Sequence, residues 1–235
     1  GADYTVSVRA VGAASSLYSD EVSIRYSAMY PTLRYENGRV YWHSVINAVT
    51  YEIRVNGGKS FTVTDGASSA PVTFDRAGTN TIEVRYVDDT GFESTWVSLD
   101  VTAYAIEFDA RGGEIVSTIY LAKGDRFTLP SGTKKGFEFA GWYNAPTGNA
   151  GLYTSTVYEA SGDTLLYAAW TGKTYRVTLV YDDGSDKTET ADLVFGARFT
   201  LPVLKSDDAT KVFAGWYSAE NGGGVRYTDD NGVSL

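Results

Sequence analysis

The sequence predicts an almost all-β protein assembled from small modules in tandem, and three observations carry that prediction. Tyr, Val and Thr are abundant and are punctuated by turn-forming residues, with 18 Tyr and 25 Gly in 235 residues. Apolar residues alternate with period two along one short run after another, and no window sustains the 3.6-residue period of an amphipathic helix. Blocks of sequence also recur, in the same order and at nearly constant spacing.

From the amino terminus, Tyr4-Thr-Val-Ser-Val-Arg-Ala10 alternates, a small-residue loop follows, and Val22-Ser-Ile-Arg-Tyr26 alternates again. The pair echoes Thr81-Ile-Glu-Val-Arg-Tyr-Val87 and Val97-Ser-Leu-Asp-Val101. Residues 1–28 therefore read as the closing hairpin of a module whose complete version occupies 29–103. Within 29–103, Val40 and Trp42 share one strand face and leave Tyr41 and His43 on the other. Tyr51, Ile53 and Val55 form the next inward row, and Asn56-Gly57-Gly58 supplies a hairpin turn. Phe61 and Val63 return, then Val72 and Phe74, then Ile82, Val84 and Tyr86, then Val97, Leu99 and Val101. About seven short strands separated by turns specify a small sandwich.

This segment resembles a fibronectin type III domain, an immunoglobulin-like β-sandwich. The likeness rests on Gly38-Arg-Val-Tyr-Trp42, on Tyr51-Glu-Ile-Arg-Val-Asn-Gly57 and on the late Gly91-Phe-Glu-Ser94 loop. Residues 1–28 share it in part. The usual proline-rich start is reduced to Tyr30-Pro31, and no Arg-Gly-Asp motif occurs.

Beyond residue 103 the repetition is direct. Arg126-Phe-Thr-Leu-Pro130 returns as Arg198-Phe-Thr-Leu-Pro202, 72 positions later, and Phe139-Ala-Gly-Trp-Tyr143 returns as Phe213-Ala-Gly-Trp-Tyr217, 74 positions later. Upstream, the segment from Tyr104 matches the segment from Tyr175 in pattern. Two copies are delimited, 104–171 and 172–235. Copy one resembles the internalin-type B repeat, or Listeria–Bacteroides repeat, through Ile106-Glu-Phe-Asp-Ala-Arg-Gly-Gly113, Leu129-Pro130, Gly136-Phe-Glu-Phe-Ala-Gly-Trp-Tyr143 and Asp163-Thr-Leu-Leu-Tyr-Ala-Ala-Trp170. The resemblance implies a β-grasp-like fold and a place in bacterial surface proteins. Copy two follows the pattern to Val225-Arg-Tyr227 and carries no counterpart of Thr164–Trp170. That strand's absence implies an open edge, a partly uncovered Trp216 and lower stability than copy one, with strand complementation from a neighbouring molecule as the remedy. The natural protein is expected to continue with a similar strand.

Composition narrows the chemistry. The chain has no cysteine, hence no disulfide, thiol nucleophile or thiolate metal site, and its single histidine forbids a multi-histidine centre. A formal charge of −9 argues against a phosphate-backbone binder, and no apolar run is long enough to span a membrane. His43 lies opposite Trp42 with no Ser or carboxylate at a catalytic spacing, so it reads as an exposed sandwich residue. Asp182-Asp183-Gly184-Ser185-Asp186 and Asp229-Asp230-Asn231-Gly232 resemble fragments of calcium loops but lack the full ligand spacing; they read as turns, with calcium as the alternative. Paired carboxylates for glycoside hydrolysis have no recognisable context. Glycine clusters lack the following Lys-Ser/Thr of phosphate loops, and Lys134-Lys135 reads as a solvated pair.

Aromatic residues are the functional candidates. Trp42, Trp142, Trp170 and Trp216 sit inside the repeated motifs and read as core. Trp96, Tyr41, Tyr153 and Tyr227, together with Tyr104, are candidates for stacking on a sugar or anchoring a protein contact, and the sequence leaves that reading and a packing role equally open. The expected whole is a monomeric, elongated, extracellular or surface-exposed chain with very short linkers: Ser27–Tyr30, Thr102-Ala103 and Thr171–Thr174. No catalytic residue, cofactor or metal is expected. Its expected role is spacing and presentation of an adhesive or catalytic head. The alternatives are a module that binds a host glycan or extracellular protein, and an ancillary region of an extracellular hydrolase.

Overall fold

The computed structural model describes residues 3–10, 22–27, 30–64, 66–147 and 151–235. The protein is nearly all β, and a single 3₁₀ turn is its only helical element among those residues. The chain divides into two compact units, Gly1–Glu107 with Ser117–Leu129 and Thr154–Leu165, and Phe108–Val116 with Pro130–Tyr153 and Leu166–Leu235.

In the first unit, β1 (Asp3–Val8) pairs antiparallel with β2 (Val22–Ser27) along its whole length. This is the hairpin expected for 1–28; its intervening loop and the Ala28-Met29 part of the expected linker lie outside the described residues.

Next come β3 (Arg34–Glu36) and β4 (Arg39–Tyr41), joined by the tight turn Asn37-Gly38. β5 (Ala48–Val55) pairs with β6 (Phe61–Thr64), and β7 (Ser69–Pro71) returns to β4. β8 (Gly78–Asp88) pairs with β5, and β9 (Val97–Asp109) pairs with β8. The result is a sheet in the order β3-β4-β7 and a second, larger sheet in which these strands run β6-β5-β8-β9. Period-two alternation selects the faces: Tyr51, Ile53, Ile82 and Val84 from one sheet and Val40 and Ala70 from the other are buried together with Trp42, Val72 and Phe74. Truncating such an aliphatic side chain to Ala costs about 2–5 kcal/mol. The Trp42 ring lies 5.1 Å from that of Tyr51. Phe61 departs from the inward row and is exposed, because β6 is the edge strand and pairs with β5 alone.

β9 then continues. It pairs with β8 through Val97–Ala103 and with β10 (Ile119–Ala122) through Ala103–Ile106, so Ala103 faces both Gly78 and Ala122 and is fully buried. Thr102-Ala103, which the sequence marks as a joint, is thus the middle of a strand. Both residues suit an extended chain, and each ladder satisfies backbone groups that a linker would leave to water.

In the second unit, β11 (Phe137–Tyr143) pairs with β12 (Thr164–Gly172), with a bulge between Phe139 and Gly141. β13 (Thr174–Val180) pairs with β14 (Thr188–Val194). β15 (Tyr217–Ala219), a 3₁₀ turn over Glu220–Gly222 and β16 (Gly223–Arg226) close the chain's last hairpin.

The sequence repeat is a structural repeat in register. Ile106 opposes Ile119 and Ala103 opposes Ala122 in β9–β10; Val177 opposes Ala191 and Thr174 opposes Val194 in β13–β14. These are the same positions of the aligned copies. Leu179, Tyr181, Leu201 and Trp216 form the core of the second copy. Trp216 keeps 8% of its surface exposed against 1% for Trp142, so the uncovering expected of it is slight, since Tyr181 and Phe213 pack edge-on against the ring at 5.8 and 6.0 Å.

Candidate functional site

Each repeat is organised around one tryptophan. The Trp142 indole N–H donates to the Pro130 carbonyl at 2.7 Å, and the Trp216 indole N–H donates to the Pro202 carbonyl at 2.9 Å. On the other side the Trp142 carbonyl accepts from the Tyr153 amide at 2.8 Å, and the Trp216 carbonyl from the Tyr227 amide at 2.8 Å. The ring of Trp142 is buried against Phe108 at 4.6 Å and Phe139 at 5.3 Å. Trp170 packs edge-on against Phe139 and donates to the Ala110 carbonyl at 2.9 Å. Trp42, Trp142 and Trp216 are core residues, and Trp170 is a half-buried part of the same packing.

The stacking candidates do not converge on one place. Trp96 is half-buried under two guanidinium groups, with Arg54 at 4.2 Å and Arg85 at 4.7 Å from its ring centre. Those arginines are tied down in turn. Arg54 makes a two-pronged bond to Glu83 at 2.7 Å on each prong, and Arg85 binds Glu52 at 2.6 Å and also Glu93. The Glu83 partnership raises the Arg54 pKa. Tyr41 is half-buried with Arg34 4.3 Å from its ring centre. Tyr153 is half-buried and Tyr227 exposed, and they occupy equivalent positions of the two copies through the amide bonds given above. Tyr104 lies 6.1 Å from the fully buried Tyr158.

In the acidic turns, Asp183 and Asp229 each commit one carboxylate oxygen to nearby amides. Asp183 accepts from the Ser185 amide at 2.9 Å, and Asp229 accepts from both the Asn231 and Val233 amides at 2.9 Å. The hydrogen bonds from Ser185 hold Asp183 below its usual range, as the Val233 amide does Asp229. Asp182 accepts from the Asn221 amide at 2.6 Å. Among the described residues no group of three or more His or acidic side chains is placed to hold a metal ion. His43 is exposed.

One cleft, of about 380 Å³, is lined by Arg111, Lys134, Phe137, Thr147 and the Ala168–Trp170 stretch. Lys134, half-buried, is held in place beside that cleft while Lys135 is exposed. The Lys134 Nζ donates to the Arg111 carbonyl at 2.9 Å and sits 4.6 Å from the centre of the Phe137 ring.

Sequence reasoning missed a second set of residues, those at which β-hairpin loops grip a preceding segment. Asp125 is 3% exposed and accepts from the Tyr35 phenol at 2.6 Å, the Gly38 amide at 3.1 Å and the Ala122 amide at 2.9 Å. Asn37 accepts from the Arg126 amide at 2.7 Å. The equivalent loop of the second copy presents Phe195, whose ring packs edge-on against Phe137 at 5.3 Å. The signal was available: inside the near-identical blocks Gly124-Asp-Arg-Phe-Thr-Leu-Pro130 and Gly196-Ala-Arg-Phe-Thr-Leu-Pro202, Asp125 is the one position that differs.

Comparison with known proteins places this geometry in context. The chain is 27% identical over 180 residues to Internalin H of Listeria monocytogenes serovar 1/2a, an alignment covering 67% of this chain and 32% of that protein. It is 32% identical over 124 residues to a protein of Evansella cellulosilytica named "Putative membrane protein", covering 52% of this chain and 18% of that one. The chain thus spans under a third of the length of either relative. Residues 104–169, which contain the Trp142 latch, match the family model of the Listeria-Bacteroides repeat domain.

Proposed function

We propose that the chain is a non-catalytic spacer segment of a larger bacterial cell-surface or secreted protein, holding a functional head away from the surface. The observation that carries this reading is the duplication of one tryptophan-centred latch, at Trp142–Pro130 and Trp216–Pro202, inside a repeat of constant register. Repetition of a self-contained packing unit extends a chain without adding a reactive site. The similarity to Internalin H and to a named membrane protein supports a surface location. The amide bonds accepted by Asp183 and Asp229 favour a structural part for those loops. The reading of residues 29–103 as a fibronectin type III-like sandwich is part of this proposal, and the β3-β4-β7 sheet packed over one core with the β6-β5-β8-β9 strands supports it. The test is retention on arrays of glycans and extracellular matrix proteins, alongside single-molecule stretching. Stepwise unfolding with no retained ligand supports the spacer; selective retention, or turnover of any substrate by the purified chain, overturns it.

A binding role has one observation in its favour, the cleft in which Arg111 and Lys134 lie beside Phe137 and Trp170. Cations next to aromatic faces suit an acidic sugar. Titration with sulfated and uronic-acid oligosaccharides, with Lys134→Ala as control, decides it: saturable binding lost in the variant supports this reading, and no binding removes it.

A further inference from the structure

The loop that follows the first hairpin of each repeat does the same job twice with different chemistry. In the first copy it reads Ala122-Lys-Gly-Asp-Arg126 and in the second Val194-Phe-Gly-Ala-Arg198. The first loop meets the β3–β4 turn of the sandwich through polar groups. Asp125 receives the Tyr35 phenol and the Gly38 amide, and the Arg126 amide reaches back to Asn37. A carboxylate this deeply buried is stable only with donors around it, and two of its three come from the sandwich.

The second loop meets the end of the β11–β12 hairpin through an aromatic ring that lies against it with one face open, Phe195 keeping 46% of its surface exposed. Phe195 lies edge-on to Phe137 and 6.3 Å from Tyr175. Its seat exists because Gly136 and Gly172 carry no side chain: a Cβ on Gly136 would lie 2.5 Å from the Phe195 ring, and one on Gly172 would lie 2.2 Å from the Phe195 carbonyl oxygen. The backbone joins in, with the Phe195 amide donating to Lys173 at 2.9 Å and the Lys173 amide donating to Gly136 at 2.9 Å. At the matching positions the chemistry is exchanged. Lys123, exposed, stands where Phe195 packs, and Ala197 stands where Asp125 latches.

We infer that this loop is the coupling element by which a repeat docks on the module before it, and that positions 123 and 125, matched by 195 and 197 in the second copy, specify the class of that module. Lys-then-Asp fits a sandwich offering a tyrosine phenol and an Asn-Gly turn. Phe-then-Ala fits another repeat offering a glycine-lined hairpin end. The inference stands on these contacts and does not depend on the spacer reading.

Hydrogen exchange on the full chain tests it residue by residue. Asp125→Ala should raise exchange at the Gly38 and Arg126 amides about tenfold, the loss of one to two net hydrogen bonds, while Ile53 and Val84 in the sandwich core stay protected. Phe195→Lys should do the same at the Lys173 and Phe195 positions and leave Gly38 untouched. The double exchange Lys123→Phe with Asp125→Ala, which gives the first loop the second loop's residues at these two positions, should not restore protection at Gly38. If Asp125→Ala fails to fold, Tyr35→Phe reports on the same bond with the ring in place. Unchanged exchange at Gly38 and Arg126, or full protection in the exchanged loop, overturns the assignment.

Discussion

The Trp142 indole donates to the carbonyl of Pro130, and that single bond ties the bulged strand β11 to the loop entering it. The Trp216–Pro202 bond does the same in the second copy. Trp142→Phe and Trp216→Phe each leave a proline carbonyl without its donor and a gap beside the ring. The expected loss is about 2–3 kcal/mol per substitution, larger for Trp142, which is more deeply packed between Phe108 and Phe139. Urea unfolding followed by the remaining tryptophans measures it, and a loss under half of that would place the energy elsewhere in the repeat.

Trp96 is expected to act through stability. Its ring is the platform under Arg54 and Arg85, and these hold Glu83, Glu52 and Glu93. Trp96→Ala should cost the sandwich about 2 kcal/mol by removing the ring's packing and two cation–π contacts. Glycan retention, if any is found, should be the same for parent and variant. Thermal unfolding and array binding of the pair check both halves of the statement.

Alkaline pH should weaken the sandwich through Tyr35. Burial, then the hydrogen bond to Asp125 and that group's charge, push its phenol far above the ordinary value of 10.0. The unfolded chain therefore releases this proton before the folded one does. The contribution is complete below about pH 10 and is lost as pH rises beyond it. Tyr35→Phe should be less stable at neutral pH, having lost the bond to Asp125, yet should show a shallower decline between pH 10 and 11. Parallel slopes in the two proteins would contradict the assignment.

Gly141 and Gly215 occupy matching positions, with φ of +119° and +111°, but are not equally replaceable. A Cβ on Gly215 would lie 2.4 Å from the Thr228 carbonyl oxygen, whereas one on Gly141 would lie 2.7 Å from the flexible end of Leu152. Both alanine variants carry the backbone strain of that region. Gly215→Ala should cost at least about 1 kcal/mol more, because a carbonyl cannot step aside as a methyl group can. Comparing their unfolding midpoints settles the order.

The strands were legible because alternation is a local property: Tyr51, Ile53, Ile82 and Val84 are inward in the structure as period two requires. The repeated tryptophans were legible because they sit inside duplicated blocks. Trp96 was not, since its cover comes from Arg54 and Arg85 on two other strands, and nothing near position 96 encodes their approach. Asp125 was missed for a related reason. A carboxylate after a glycine reads as an exposed turn residue, and only the partner at Tyr35, 90 positions away, makes it a buried acceptor. Phe61 was misplaced because alternation gives a face but not whether that face is covered at a sheet's edge.

The seam at Ala103 bears on how such proteins are cut and recombined. A gene fragment ending at Thr102 would leave Ala103–Ile106 with β10 but take Ala103 from its place beside Gly78; one ending after Ile106 would complete the sandwich ladder but part β10 from the strand it lies along, and only a fragment running past Ala122 keeps both ladders. Shuffling these cassettes therefore favours breakpoints away from the place where the similarity itself begins.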